Sequence, residues 1–197
     1  MTLSARSMAL TALFAALMAL GAFLAIPIGP VSITLQTLFV LLAGILLGAR
    51  LGALSQLIYI ALGLFGLPVF SGFTGGLSSV FKPSFGFLIG FIVAAYLVGF
   101  LAEKYLYQSA KPDSLHSPSK RSIFFFKILL IAFAGSFFIY LLGIPYMYII
   151  LHQVMHTEIT FCGAVKAGYL VFLPGDILKA LLASLLGMKI LPKIKQR

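Results

Sequence analysis

Charge is scarce in this chain. Of 197 residues only 4 are Asp or Glu, and all charged types together make up 9%. A soluble domain of this size carries roughly a quarter of its residues charged, so this composition cannot coat a water-exposed surface. Cysteine is almost absent: Cys162 stands alone, which excludes an internal disulfide and a thiolate metal site. There is no G-x-x-x-x-G-K-[ST] run and not one Gly-Lys dipeptide, so the chain has no phosphate loop of its own. It also lacks G-x-S-x-G, H-E-x-x-H and paired carboxylates, which leaves enzymatic work without a constellation to carry it. No internal repeat is evident of the kind that would favour a secondary transporter.

What is present is apolar, with hydrophobic types at 61%. The natural solvent for most of this sequence is lipid. A membrane helix needs about 20 mostly apolar residues, and the chain supplies six candidate runs: Ser7 to Ile26, Leu35 to Leu47, Leu51 to Leu67, Phe85 to Ala102, Ile123 to Leu142 and Pro174 to Leu191. The first ends at a Pro27–Pro30 breaker and the fifth at Gly143-Ile144-Pro145. The first also mimics a signal peptide, with Arg6 before an apolar core, but its length and the five runs after it favour retention. The sequence thus predicts an all-α integral membrane protein, a single bundle of six transmembrane helices over residues 1–197. The one clearly polar stretch, about 105–122, reads as a flexible cytoplasmic loop holding Lys111, Asp113 and His116.

Basic residues set the orientation. With the N-terminus inside, Arg6, Arg50, Lys104, Lys111, Lys120, Arg121, Lys127, Lys189, Lys193, Lys195 and Arg197 flank cytoplasmic ends, and only Lys82 and Lys166 fall outside. This is the positive-inside pattern, and it places both termini in the cytoplasm of a multi-pass protein in the cell (inner) membrane. The net charge of +10 is explained by orientation; no basic stripe interleaved with aromatics suggests nucleic acid.

Few residues are left to carry chemistry. Asp176 and Lys179 begin the last run, three apart and so on one helix face. Intramembrane charges are costly and point by default to a functional site. The pair could equally be structural, with Asp176 capping the helix start behind Pro174 and Lys179 neutralising it. Ser32, Thr34, Gln36 and Thr37 gather at the entry to the second run, as cap or as ligand contacts. Lys82 could attract an anionic ligand or merely be solvated. His152 and His156 share an i, i+4 spacing with Glu158 nearby, which reads more simply as an interfacial polar group than as a metal site. Alanines at 12, 15, 16 and 19 give the first run small-xxx-small spacing for close helix approach. Two outer segments, Gly66 to Ser84 and Gly143 to Leu173, are rich in glycine and aromatics. They could fold over the bundle as a lid or anchor at the interface.

Four stretches together resemble the BioY family, the biotin-capturing S components of energy-coupling-factor transporters. They are Ile33-Thr34-Leu35-Gln36-Thr37 through Gly44, Gly48-Ala49-Arg50-Leu51-Gly52 through Gln56, Gly63-Leu64-Phe65-Gly66-Leu67-Pro68-Val69-Phe70, and Phe172-Leu173-Pro174-Gly175-Asp176-Ile177-Leu178-Lys179. The resemblance implies a six-helix fold with a biotin pocket on the outer side, closed by the loops between helices 1 and 2 and helices 3 and 4. It implies Asp176 and Lys179 as the ligand-binding Asp-x-x-Lys; Gln36, Thr34 and Lys82 are the further candidate ligand contacts on their own position and chemistry. It also implies an alanine face on the first helix, Ala12 and Ala16 or Ala15 and Ala19, against a transmembrane coupling subunit served by two ATPase subunits. Biotin would be cargo, and no cofactor is expected. The chain departs from the family at Lys82-Pro83-Ser84-Phe85-Gly86, where Phe85 replaces a glycine. The rivals are a stand-alone channel or secondary carrier for another small solute, and a small membrane enzyme or scaffold.

Overall fold

An apolar run surrounded by lipid must satisfy its backbone internally, and helices do this within one segment. The computed structural model describes residues 4–110 and 117–195; Lys111, Asp113, His116 and Arg197 lie outside the described residues. Seven α-helical segments follow in order among the described residues: α1 Ala5–Phe23, α2 Gln36–Leu47, α3 Ala49–Leu64, α4 Phe85–Tyr105, α5 Pro118–Ile149, α6 Phe161–Val165 and α7 Leu173–Lys195. A two-stranded hairpin, β1 Ala25–Ile26 with β2 Ile33–Thr34, sits between α1 and α2. α1, α4 and α5 with its extension to Val154 are long and apolar enough to cross a bilayer. Phe161–Leu170 and Leu173–Ile194 qualify together across a 42° bend.

α2 and α3 are shorter, 12 and 16 residues, or about 18 and 24 Å at 1.5 Å per residue. They reverse on Gly48, whose φ of 91° suits glycine. α4 crosses close over this turn, because a Cβ on Gly99 would overlap the backbone of Gly48 and Ala49. Glu103 then reaches from α4 to accept the Ala49 N–H at 2.9 Å, which satisfies a free donor at the start of α3. Burial and the neighbouring Glu103 charge push the Tyr107 hydroxyl pKa well above its ordinary value.

Side chains divide the interior into two clusters. One, near the hairpin, is aromatic: Tyr59, Phe70, Phe85, Phe87, Phe91, Tyr140 and Phe172 lie in it. The other, toward the Gly48 turn, is mainly aliphatic, built on Leu41, Ile45, Val98, Leu106, Ile128 and Leu191. Aromatic rings offer flat apolar surface with fixed edges, so they frame space at the hairpin end. Branched aliphatics close the other end.

The largest differences from the sequence reading fall in 118–173. Helix α5 does not stop at Gly143-Ile144-Pro145 but runs on to Ile149, with a wider π-helical turn through Val154. Pro145 removes one backbone donor, yet the turns around it are held by packing: Gly143 lies against Phe87, and Ile144 and Met147 are buried. α5 also starts earlier, at Pro118, so 118–122 belongs to a helix rather than to the polar loop. Proline suits that first turn because its missing N–H would have no partner there. Finally, most of 143–173 is helical.

The crossing at Gly99 can be tested directly. Gly99→Val should lower the melting temperature of the detergent-purified protein by several degrees, since overpacking of this kind costs about 1–3 kcal/mol. Gly175→Ala, where an added methyl meets nothing within 4 Å, should leave the melt nearly unchanged.

Candidate substrate-capture site

The hairpin end of the bundle encloses a cavity of about 130 Å³. Loop residues Pro30, Val31 and Ser32 roof it on one side, and Phe70, Ser71 and Thr74 on the other. Its walls come from the aromatic cluster, chiefly Tyr59, Phe87, Phe91, Tyr140 and Phe172. A few polar groups point into this apolar frame, the arrangement expected of a small-molecule site. Besides the serines and threonine of the roof, they include Thr34, Gln36, Thr37, Ser79, Lys82 and Lys179.

Asp176 and Lys179 lie in the first and second turns of α7, both about 95% buried. Lys179 Nζ sits 2.9 Å from Asp176 Oδ1. Asp176 Oδ2 accepts the Tyr140 hydroxyl from α5. A buried carboxylate is tolerable only when paired and hydrogen-bonded, and here both oxygens are engaged. Tyr140 is fixed in turn by edge-on contacts with Phe87 at 5.9 Å and Tyr169 at 4.9 Å. Asp176 therefore stands behind the cavity wall, while Lys179 presents its remaining N–H donors within it.

A second set of polar contacts joins the elements around the mouth. Thr34 Oγ1 donates to Gln36 Oε1 at 3.1 Å, and Gln36 Nε2 donates to the Tyr59 hydroxyl at 2.9 Å. The Tyr59 hydroxyl donates onward to the Val69 carbonyl at 3.1 Å. Ser79 Oγ is buried and has no hydrogen-bond partner among the described residues. Lys82 is half-buried at the rim and has no carboxylate partner among them. With Asp176 and Lys179 offsetting one another, the site carries one net positive charge.

The five residues singled out for ligand binding thus converge. Thr34, Gln36, Lys82 and Lys179 line the cavity directly, and Asp176 sits one bond behind Lys179. The alanines of α1 separate by face. Ala12 and Ala16 are exposed on the outside of the bundle, Ala15 is buried in the core, and Ala19 packs against it. His152 lies flat on the Tyr148 ring, 5.5 Å between centroids. Sequence reasoning passed over Tyr59, Tyr140 and Ser79. The two tyrosines were the available signal: a phenol inside an apolar run must find a partner for its hydroxyl.

Comparison with known proteins agrees with this picture. The BioY family profile matches residues 1–196. The chain is 37% identical over 187 residues to a probable biotin transporter BioY of Lysinibacillus sphaericus, covering 95% of this chain and 87% of that protein. It is 38% identical over 194 residues to the biotin transporter BioY of Rhizobium etli, covering 96% and 95%. Among solved structures it resembles the crystal structure of the S-component for biotin from an ECF-type ABC transporter. The TM-score is 0.74 at 28% identity, with 96% and 94% of the two chains covered. A helical membrane bundle with a polar-lined recess and relatives of this kind defines a transporter component rather than an enzyme. The chain belongs to the BioY family.

The buried pair makes a stability prediction. Asp176→Asn and Lys179→Met should each lower the melting temperature markedly, because stranding one member of a buried pair costs about 3–5 kcal/mol. The double variant should recover much of that loss. Additive losses in a double-mutant cycle of thermal melts would show that the two charges are not coupled.

Proposed function

We propose that the chain captures biotin at the hairpin end of its bundle and delivers it to the cell through a coupling membrane subunit driven by two ATPase subunits. One observation carries this reading: an aromatic-walled cavity in which the ammonium groups of Lys82 and Lys179 converge with the neutral polar side chains of Thr34, Gln36, Thr37 and Ser79. Biotin presents an apolar bicycle and valeryl chain, a ureido carbonyl with two N–H groups, and a carboxylate. Lys179 donates to the ureido carbonyl. Asp176, behind the wall with both oxygens already engaged, positions Lys179, and it accepts a ureido N–H through its remaining lone pairs only on displacement of the pair toward the ligand. The rings of Phe87, Phe91 and Phe172 cover the bicycle, and Lys82 at the rim faces the carboxylate.

The bundle crosses the cell (inner) membrane six times in this reading, with the hairpin end outside and both termini in the cytoplasm. The distribution of basic residues supports that orientation. The Ala12–Ala16 face of α1 is the docking surface for the coupling subunit, since small exposed side chains allow a second helix to approach closely. Ala15 and Ala19 serve packing within the chain. The chain performs no chemistry on its cargo and calls for no cofactor.

Titrating labelled biotin into the detergent-purified protein tests the site. Lys179→Met should weaken binding roughly ten- to a hundredfold, the range for a hydrogen bond to a charged group. Unchanged affinity would remove Lys179 from the site. Uptake by proteoliposomes should require the ATPase module as well as this chain. Robust uptake by the chain alone would instead support a stand-alone carrier.

A further inference from the structure

The two segments that roof the cavity come from distant parts of the chain, yet a single file of hydrogen bonds joins them. It begins at Thr34, in the second strand of the hairpin, passes through Gln36 at the start of α2 and Tyr59 in α3, and ends on the Val69 carbonyl in the 66–84 segment. Every link donates in the same direction: hydroxyl to amide oxygen, amide nitrogen to phenol oxygen, phenol hydrogen to backbone carbonyl. Chains aligned in this way polarise one another, so each link strengthens the next. The interior links are buried, with Gln36 at 5% and Tyr59 at 1% exposure, so a lost partner there carries a desolvation cost.

Tyr59 is also the seat of the 66–84 segment. Phe70 packs edge-on to its ring at 5.6 Å. Phe70 is pressed against Gly63 so closely that a Cβ there would overlap its ring. The Gly63 carbonyl accepts the Gly76 N–H at 2.7 Å, closing the base of the segment, and Phe70 and Thr74 exchange backbone hydrogen bonds across it. The Tyr59 phenol therefore touches one roof through its ring and Val69, and the other through Gln36 and Thr34.

We propose that Tyr59 is a positioning residue that couples the two roofs, so that the hairpin and the 66–84 segment open and close over the cavity as one unit. The inference rests on the biotin-capture reading for its purpose but not for its test. A ligand enters only when a roof lifts. Lifting either one breaks the file and removes part of what holds the other, and such coupling is reciprocal. Tyr59 is not required to touch the ligand for this role.

The test is backbone amide exchange in the full-length, ligand-free protein in lipid nanodiscs, followed separately in residues 25–34 and 67–80. Thr34→Val cuts the file at the hairpin, where the Thr34 side chain hydrogen-bonds only to Gln36 and not to the second segment. It should nonetheless accelerate exchange in 67–80 roughly three- to tenfold, the equivalent of one buried hydrogen bond. Tyr59→Phe, which keeps the ring and its contact with Phe70, should accelerate both segments. Should Tyr59→Phe fail to fold, Thr34→Val alone decides. Acceleration confined to 25–34 in Thr34→Val overturns the proposal, because the file through Tyr59 then does not couple the roofs. With the coupling present, biotin should also dissociate faster from Tyr59→Phe than from the parent. Coupled exchange in a parent that ignores biotin would uphold the roof linkage while removing the capture reading.

Discussion

A carboxylate and an ammonium 2.9 Å apart, both almost wholly buried in an apolar bundle, impose the constraint around which the hairpin end is organised. Neither charge could remain there alone. Asp176 needs donors on both oxygens and obtains them from its own helix and from α5, through Lys179 and Tyr140. Tyr140 must then be held in place, and the rings of Phe87, Tyr169 and Phe172 do so. The same rings form much of the aromatic cluster and part of the cavity wall. Satisfying one buried acid thus fixes the relation of α4, α5 and α7 at the end where a solute would bind. It leaves Lys179 directed into the cavity with donors to spare.

Much of this was legible in the sequence because membrane burial simplifies the code. Where almost every residue is apolar, the few that are not stand out. Asp176, Lys179, Gln36, Thr34 and Lys82 were singled out on that ground, and they gather around one cavity. The order of Asp176 and Lys179 was not legible, because spacing places two residues on one face without saying which lies deeper. Tyr59 and Tyr140 were hidden for a related reason: aromatics are common in membrane helices, and a phenol differs from a phenyl ring only by its partner. That partner is 23 residues away for Tyr59 and 36 for Tyr140.

Helix limits were less legible than helix identity. Pro145 was read as a terminator because proline removes a donor and crowds the preceding turn. Tertiary packing outweighed that local cost once Ile144 and Met147 were buried against neighbouring helices. The alanines of α1 illustrate the same limit. A small-xxx-small pattern occurs in two overlapping registers, 12 with 16 and 15 with 19, and only the packed bundle assigns one to the interior and leaves the other outside.

Helix α2 depends on its neighbours for cover. Nearly every one of its 12 residues is buried by protein, and its length falls well short of the hydrocarbon thickness of about 30 Å. Such a segment has little hold on a bilayer by itself. Its cover comes instead from α3 across the Gly48 hinge and from α4 over that hinge. α2 is therefore enclosed only once those helices are packed, and a defect at the hinge would uncover α2 as well as α3.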